Sequence, residues 1–214
     1  MKGIILKDLY DNFRVGKNLA SYILGGGFMI LIALLGQSKF NFLWFTIVVA
    51  TIFSSCMIES SCEQDERVNF DRVMMSFPLS KAQIVIARYL LALCCIAEAN
   101  LLTFLFVLYS VFLRHTLPFR EAMEYWAIAL SFSIFFTGLT HICYYLFGKK
   151  IGTIFYVIMF VLLALGYSIG SMLIGLLGGE IGWTTLLIAA LPLSVAIFTL
   201  SCLISIRIYR RKYA

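Results

Sequence analysis

Few residues of this chain have the types and spacing that catalysis requires. The 214-residue sequence has two histidines, His115 and His141, and lacks the motifs H-E-x-x-H, G-x-S-x-G and G-x-x-x-x-G-K-[ST]. Those motifs are typical of zinc proteases, serine hydrolases and phosphate-binding loops. Glu63 and Glu66 imitate an acid pair, but they fall in a charged stretch that is expected in water rather than inside a span. The sequence therefore predicts no catalytic residue, no metal site and no cofactor in this chain.

Glu98 is the carboxylate with the most unusual setting, because it lies near the middle of a long apolar run. A charge at the bilayer centre costs about 3 kcal/mol on insertion scales, so Glu98 should face a cavity, be paired or be protonated. Asn100 lies two positions later, and His141 in another apolar run is a candidate partner. Glu98 and Asn100 are therefore candidate translocation-path residues. The alternatives are a structural carboxyl packed between helices and a residue that couples transport to protons.

The elements that position these residues follow from composition. Hydrophobic residues make up 62% of the chain and charged residues 13%, whereas soluble domains carry about 25% charged residues. The apolar runs are long enough for membrane helices of about 20 residues rather than for strands of about 10. The sequence predicts an all-α, polytopic membrane protein. The net charge of +6 resides largely at span ends, so no nucleic-acid partner is predicted.

Six membrane-spanning helices are predicted in a single domain over residues 1–214. Their approximate ranges are 19–37, 40–58, 84–113, 123–147, 151–176 and 184–206. Residues 1–17 place Ile5, Leu9 and Phe13 on one apolar face, which is typical of a helix lying in the membrane interface. Gly166 and Gly170 form a G-x-x-x-G pair that favours close packing with a neighbouring helix or with a second copy of the chain.

The distribution of lysine and arginine predicts the orientation. Fourteen fall on one side of the predicted spans, namely Lys2, Lys7, Arg14, Lys17, Arg67, Arg72, Lys81, Arg88, Lys149, Lys150, Arg207, Arg210, Arg211 and Lys212. Lys39, Arg114 and Arg120 are the three on the other side. Because basic residues are retained in the cytoplasm, both termini and the segment 59–83 are expected there, in a multi-pass protein of the plasma membrane.

The segment 59–83 is longer than a connector needs, since a short turn would join two spans. It begins with acidic residues and continues with an apolar stripe at roughly helical spacing, up to Pro78. A short amphipathic helix of this kind suits a groove on a cytosolic partner. The predicted docking residues are Glu66, Asn69, Phe70, Asp71, Val73, Met74 and Phe77.

Two stretches resemble the permease subunits of ABC-2 type exporters, within the compact six-span group. The opening residues 1–10 are similar to the family's N-terminal interface helix. The sequence Phe77-Pro78-Leu79-Ser80-Lys81, followed by Ile84-Val85-Ile86-Ala87-Arg88-Tyr89, resembles the family's turn-and-entry motif, with Phe77 in place of the more usual leucine.

The resemblance implies a dimer of permeases, formed by two copies or by close paralogues, bound to two ATP-binding-cassette ATPase subunits that hold ATP and magnesium. The coupling helix would span Asn69 to Phe77, and the cargo would be amphipathic or hydrophobic, such as a peptide. An ion-coupled secondary transporter that uses Glu98, with no need for an ATPase, is the alternative.

Overall fold

The computed structural model describes residues 2–14, 39–68, 70–76, 79–177 and 183–212, with isolated positions between 16 and 27. Within these ranges every regular element is an α-helix, which confirms the all-α prediction. The helices are α1 (Lys2–Phe13), α2 (Lys39–Val68), α3 (Phe70–Met75), α4 (Lys81–Phe112), α5 (Phe119–Leu177) and α6 (Trp183–Lys212).

Four helical segments in the described part of the chain are long and apolar enough to cross a membrane. They are Phe45–Val68, Lys81–Phe112, Phe119–Met159 and Ala189–Lys212, which overlap the predicted second, third, fourth and sixth spans. Phe119–Met159 also extends into the predicted fifth span. Most of the predicted first span, 19–37, lies outside the described residues. The predicted fifth span, 151–176, continues α5, and the side chains of its second half also lie outside them.

Helix α2 continues ten residues past the predicted end of its span, from Ile58 to Val68. The sequence between Ile58 and Val68 is polar, and this polarity predicted a loop rather than a helix. Yet Ser61 and Asp65 are buried inside the protein, where side chains from other helices hydrogen-bond them. Because these polar groups find partners, the helix carries them without exposing them to lipid.

Helix α4 begins at Lys81, three residues before the predicted start. Ser80 is its N-cap, and its hydroxyl accepts a hydrogen bond from the backbone N–H of Gln83, whose side chain accepts in turn from the Ser80 N–H. This capping box satisfies two of the four free donors of the first turn. The 32 residues of α4 span about 48 Å, so the helix is longer than the hydrocarbon core of a bilayer.

Helix α5 is interrupted at Gly148, which has a positive φ of 73°, a conformation that glycine adopts at little cost. The chain resumes its helical path at Lys149, whose backbone N–H donates to Glu66 Oε1 at 3.1 Å. The connection predicted between the spans 123–147 and 151–176 is thus a one-residue break, and the end of α2 caps the helix that follows it.

The helices meet most closely where α5 packs on α6. A Cβ at Gly138 would lie 3.2 Å from the Phe198 Cα, so the two backbones are nearly in contact. One end of the bundle is built around an apolar cluster that includes Ile4, Met74 and Tyr209. The parts of the chain that meet there are α1, the end of α2, the start of α4, Lys149 and the last turns of α6. We call this the basic end, and the turn between α4 and α5 lies at the opposite end.

Candidate functional site

A buried cluster of charged side chains joins three helices at the basic end. Asp65 of α2 accepts hydrogen bonds from Arg88 of α4 and Lys7 of α1. Asp8 lies beside them, with Oδ1 3.3 Å from Lys7 Nζ and Oδ2 3.8 Å from Arg88 Nε. Asp8, Asp65 and Arg88 are each less than a tenth exposed. We call these four residues the charge cluster.

Helix α1 is held to the bundle by its polar face. The Asn12 amide donates to the Asp8 carbonyl at 2.7 Å and to Ser61 Oγ at 3.3 Å, while Ser60 Oγ donates to Asn12 Oδ1. On the other face Leu6, Tyr10 and Phe13 are exposed. Large apolar residues on an outward face suit contact with lipid, whereas Ile5 and Leu9 of the predicted apolar face pack against Leu91 and Cys95 of α4.

The charge cluster shifts the pKa values of Lys7 and Asp8 in α1. Burial tends to lower the pKa of Lys7, but the hydrogen bond and charge of Asp65, with the charge of Asp8, raise it above 10.5. Burial raises the pKa of Asp8 above 3.8, against the opposing effect of Arg88 and Lys7. The charged form of Lys7 is thus stabilised, and ionised Asp8 is stabilised less well than an exposed carboxylate.

The predicted docking residues divide between two faces of α3. Met74 is almost fully buried and Phe70 packs against the same apolar cluster, with Lys7 Nζ 4.4 Å from the centre of its ring. Val73 and, at the end of α2, Val68 are exposed by 45% and 62%. Asn69, Phe77 and the side chain of Asp71 lie outside the described residues. Phe70 and Met74 therefore anchor α3, and Val73 of α3 forms an exposed apolar surface together with Val68 of α2.

Glu66 and Glu63 turn toward the break in α5. Besides capping Lys149 through Glu66, this part of α2 places Glu63 Oε2 at 3.5 Å from Lys149 Nζ and Glu63 Oε1 at 2.5 Å from Arg67 Nη2. These contacts join the end of α2 to the second part of α5. Glu66, predicted as a docking residue, makes its described contact within the chain.

A cavity of about 70 Å³ adjoins the charge cluster. Its lining includes Asp65, Glu66, Arg88, Tyr145 and Lys149. A drug-sized ligand needs about 300 Å³ or more, so this cavity is too small for an amphipathic cargo. Within the described ranges, no three His, Cys, Asp or Glu side chains converge where a metal ion could bind. The arrangement is suited to joining helices rather than to bond-making chemistry.

The structure separates the residues predicted around Glu98. Glu98 is exposed on the outer face of α4, whereas Asn100 is buried and donates to Ser133 Oγ at 3.0 Å. His141 is buried, and its ring lies 4.8 Å from the ring of Tyr89. Tyr89 precedes Glu98 by nine residues, which is about 13 Å along the axis of α4. Asn100 thus packs inside the bundle. His141 belongs with Tyr89 rather than with Glu98. Gly166 and Gly170 lie in α5, where their surroundings are outside the description.

The sequence prediction missed the charge cluster. Asp65 was assigned to the water-exposed loop, and Arg88 was counted among the basic residues that predict the orientation. One signal was available, because Asp8 and Asn12 follow Ile4 at helical spacing and so share the face that packs inward. The partners in α2 and α4 are 57 and 80 residues away from Asp8, and sequence spacing alone does not identify contacts over such a separation.

Comparison with known families places the whole chain in one group. The family described as "ABC-2 family transporter protein" matches residues 3–210, which include every described helix except the first residue of α1 and the last two of α6. The resemblance to ABC-2 permeases is therefore confirmed. No curated protein and no solved structure matches the chain.

Proposed function

Because this chain belongs to the ABC-2 family of transporter proteins, we propose that it is the membrane-spanning permease subunit of an exporter whose ATP is hydrolysed by a separate subunit. Members of this family are membrane components of transporters and normally work with an ABC ATPase. The match over residues 3–210 is the observation that carries the proposal. The four described membrane-spanning segments agree with it.

The ATPase docks at the basic end, on the surface formed by Val68 and Val73. Both valines are exposed although no lipid is expected at the end of a helix that carries Glu63, Glu66 and Arg67. An exposed apolar surface among charges is typical of a protein interface. On this proposal the basic end faces the cytoplasm, as the distribution of lysine and arginine predicts.

Motion of α3 reaches the membrane helices through two connections. Phe70 and Met74 bind α3 to the apolar cluster at the basic end, and Asp65 joins α2 to α1 and α4. Since a paired buried charge is costly to separate, these helices move together. The second part of α5 follows because Glu66 caps it.

The working assembly contains two permease copies and two ATPase subunits, and an amphipathic or hydrophobic cargo, such as a peptide, passes along a path formed between the permeases. The cavity at the basic end is too small to hold that cargo. Exposed leucines of α4, including Leu101 and Leu105, offer a surface from which a larger path could be built.

Purification of the tagged chain from its native membrane tests this function. A stoichiometric ATPase and ATP hydrolysis by the purified assembly are expected. Val73→Asp should remove the ATPase, because a charge replaces an apolar contact at the interface. Leu113→Asp is the matched control, since Leu113 is also exposed but lies at the opposite end. Retention of the ATPase by both variants, or its absence from the wild type, would contradict the proposal.

A further inference from the structure

Glu98 stands alone on an apolar surface of α4. The helix places it about 26 Å from its first residue and about 21 Å from its last, near the middle of the span. Leu101, Leu102 and Leu105 on the same side are about half exposed, and Glu98 is exposed among them. Within the described part of the chain, no hydrogen bond or ion pair involves its carboxylate. A charge in such a position is expensive in lipid.

The chain has polar groups at the same depth, but they face inward. Asn100 lies about 200° around the helix from Glu98 and is buried against Ser133. The Trp126 indole N–H donates to the Asn100 carbonyl at 3.1 Å. These contacts hold Asn100 on the inner face of α4, so Glu98 cannot share them without turning the helix.

A second copy of the chain cannot neutralise Glu98 either. In a pair of identically oriented permeases, each copy presents the same residues at the same depth. Apart from Arg88 near the start of the third, the predicted spans contain no lysine or arginine, since none occurs in 18–38, 40–66, 89–113, 121–148 or 151–206. Arg88, the nearest cation in α4, is about 15 Å away along the axis and is paired with Asp65. Two copies would bring two carboxylates, and no cation, to the middle of the membrane.

We infer that Glu98 recognises the positive charge of the cargo, and that this permease therefore selects an amphipathic cation, with leucines binding the cargo's apolar face. The inference rests on the proposed permease function. It follows from complementarity, because the surface offers one negative charge within an apolar band and lacks a cation of its own. An amphipathic peptide with lysine or arginine on its polar face has the matching chemistry.

Two synthetic peptides test this selection. One is an amphipathic helix of leucine and lysine, and the other carries glutamate at every lysine position. Binding to the full-length chain in phosphatidylcholine nanodiscs is measured, with empty nanodiscs subtracted. The wild type should prefer the basic peptide. Glu98→Gln should weaken binding of the basic peptide about tenfold, as expected for one partly hydrated charge pair, and Glu98→Lys should reverse the preference.

The control is Glu124→Gln, which makes the same chemical change near the opposite end, where Glu124 lies 3.5 Å from Arg120. It should leave both affinities unchanged. Equal binding of the two peptides by the wild type, or an unchanged preference in Glu98→Gln, would overturn the inference. Thermal unfolding of each variant shows that it is folded, and Glu98→Gln should unfold with the wild type because the side chain is exposed.

A photo-crosslinker identifies what covers this surface. Leu101→p-benzoylphenylalanine places the reactive group one turn from Glu98, and a covalent adduct with the basic peptide is expected. Adducts with lipid alone, or with a second copy alone, would overturn the inference. Retention of the ATPase in the same preparation separates the two proposals. An assembly that keeps its ATPase but shows no charge preference contradicts only this inference, whereas charge selection without any ATPase contradicts the proposed function.

Discussion

Replacement of Asp65 by asparagine should destabilise the protein more than any single change at its exposed charges. Asp65 is only 4% exposed, and its two oxygens accept from Lys7 and Arg88. Asparagine keeps the volume but removes the charge and puts an N–H₂ group against one of two cations. Loss of one partner from a buried ion pair costs about 3–5 kcal/mol. At about 2–4 °C per kcal/mol for a chain of this size, the melting temperature should fall by at least about 6 °C.

The matched control is Glu63→Gln, in the same helix and half a turn earlier. Glu63 pairs with Arg67 and with Lys149, which are 56% and 28% exposed, so solvent screens both pairs and the loss of each should cost less than about 1 kcal/mol. Both variants can be compared by thermal unfolding in detergent, followed by loss of the monodisperse peak on size exclusion.

A double variant separates the ion pair from the packing around it. Asp65→Leu together with Arg88→Met removes one acid and one base and leaves Lys7 beside Asp8, and removal of both members of a buried pair costs less than removal of one when the volume is kept. The double variant should therefore be more stable than Asp65→Asn. If Asp65→Asn lowers the melting temperature no more than Glu63→Gln, the cluster does not hold α1, α2 and α4 together.

Three further changes test local features of the structure. Between pH 3.8 and the raised pKa of Asp8, this side chain binds more protons in the folded state than in the unfolded state. The stability of the wild type should therefore fall relative to that of Asp8→Asn as the pH rises through this interval. If the difference in unfolding free energy between the two proteins does not change with pH, the burial of Asp8 is contradicted. Gly138→Ala should destabilise the protein because the added Cβ would meet the Phe198 backbone. In Gly3→Ala the added Cβ would meet no atom within 4 Å, so this variant should unfold like the wild type. Equal melting temperatures for the two variants would refute the close α5–α6 contact. Ser80→Ala should cost about 1 kcal/mol through loss of the capping box, measured by denaturant unfolding, and no change would mean that α4 is not capped there.

The apolar runs predicted the fold well because a membrane leaves few choices. Long apolar segments must be helical, since no water satisfies their backbone groups. The boundaries were less accurate where local chemistry decides them. Ser80 and Gln83 form a capping signal that was visible in the sequence, and reading it would have placed the start of α4 at Lys81. The break at Gly148 was predicted, but its length of one residue depends on Glu66, which reaches it from another helix.

The candidate site was harder to predict because it depends on contacts between distant segments. The neighbours of Asp65 in sequence predict that its side chain is exposed to water. Its burial requires Lys7 and Arg88 together. The same limit applies to Glu98. Its apolar setting could be read from the sequence, but whether it faced His141, Asn100 or the outside depended on the rotation of α4, which the packing of Tyr89 and Asn100 determines.

Crosslinking from Val73 tests most directly whether a separate ATPase subunit contacts α3. Val73→p-benzoylphenylalanine, photolysed in native membranes and followed by mass spectrometry of the adduct, should yield a covalent product with an ATP-binding-cassette subunit that carries a phosphate-binding loop. The same crosslinker at Leu113 should not. Adducts of position 73 with lipid alone, or with another copy of this chain alone, would contradict the account.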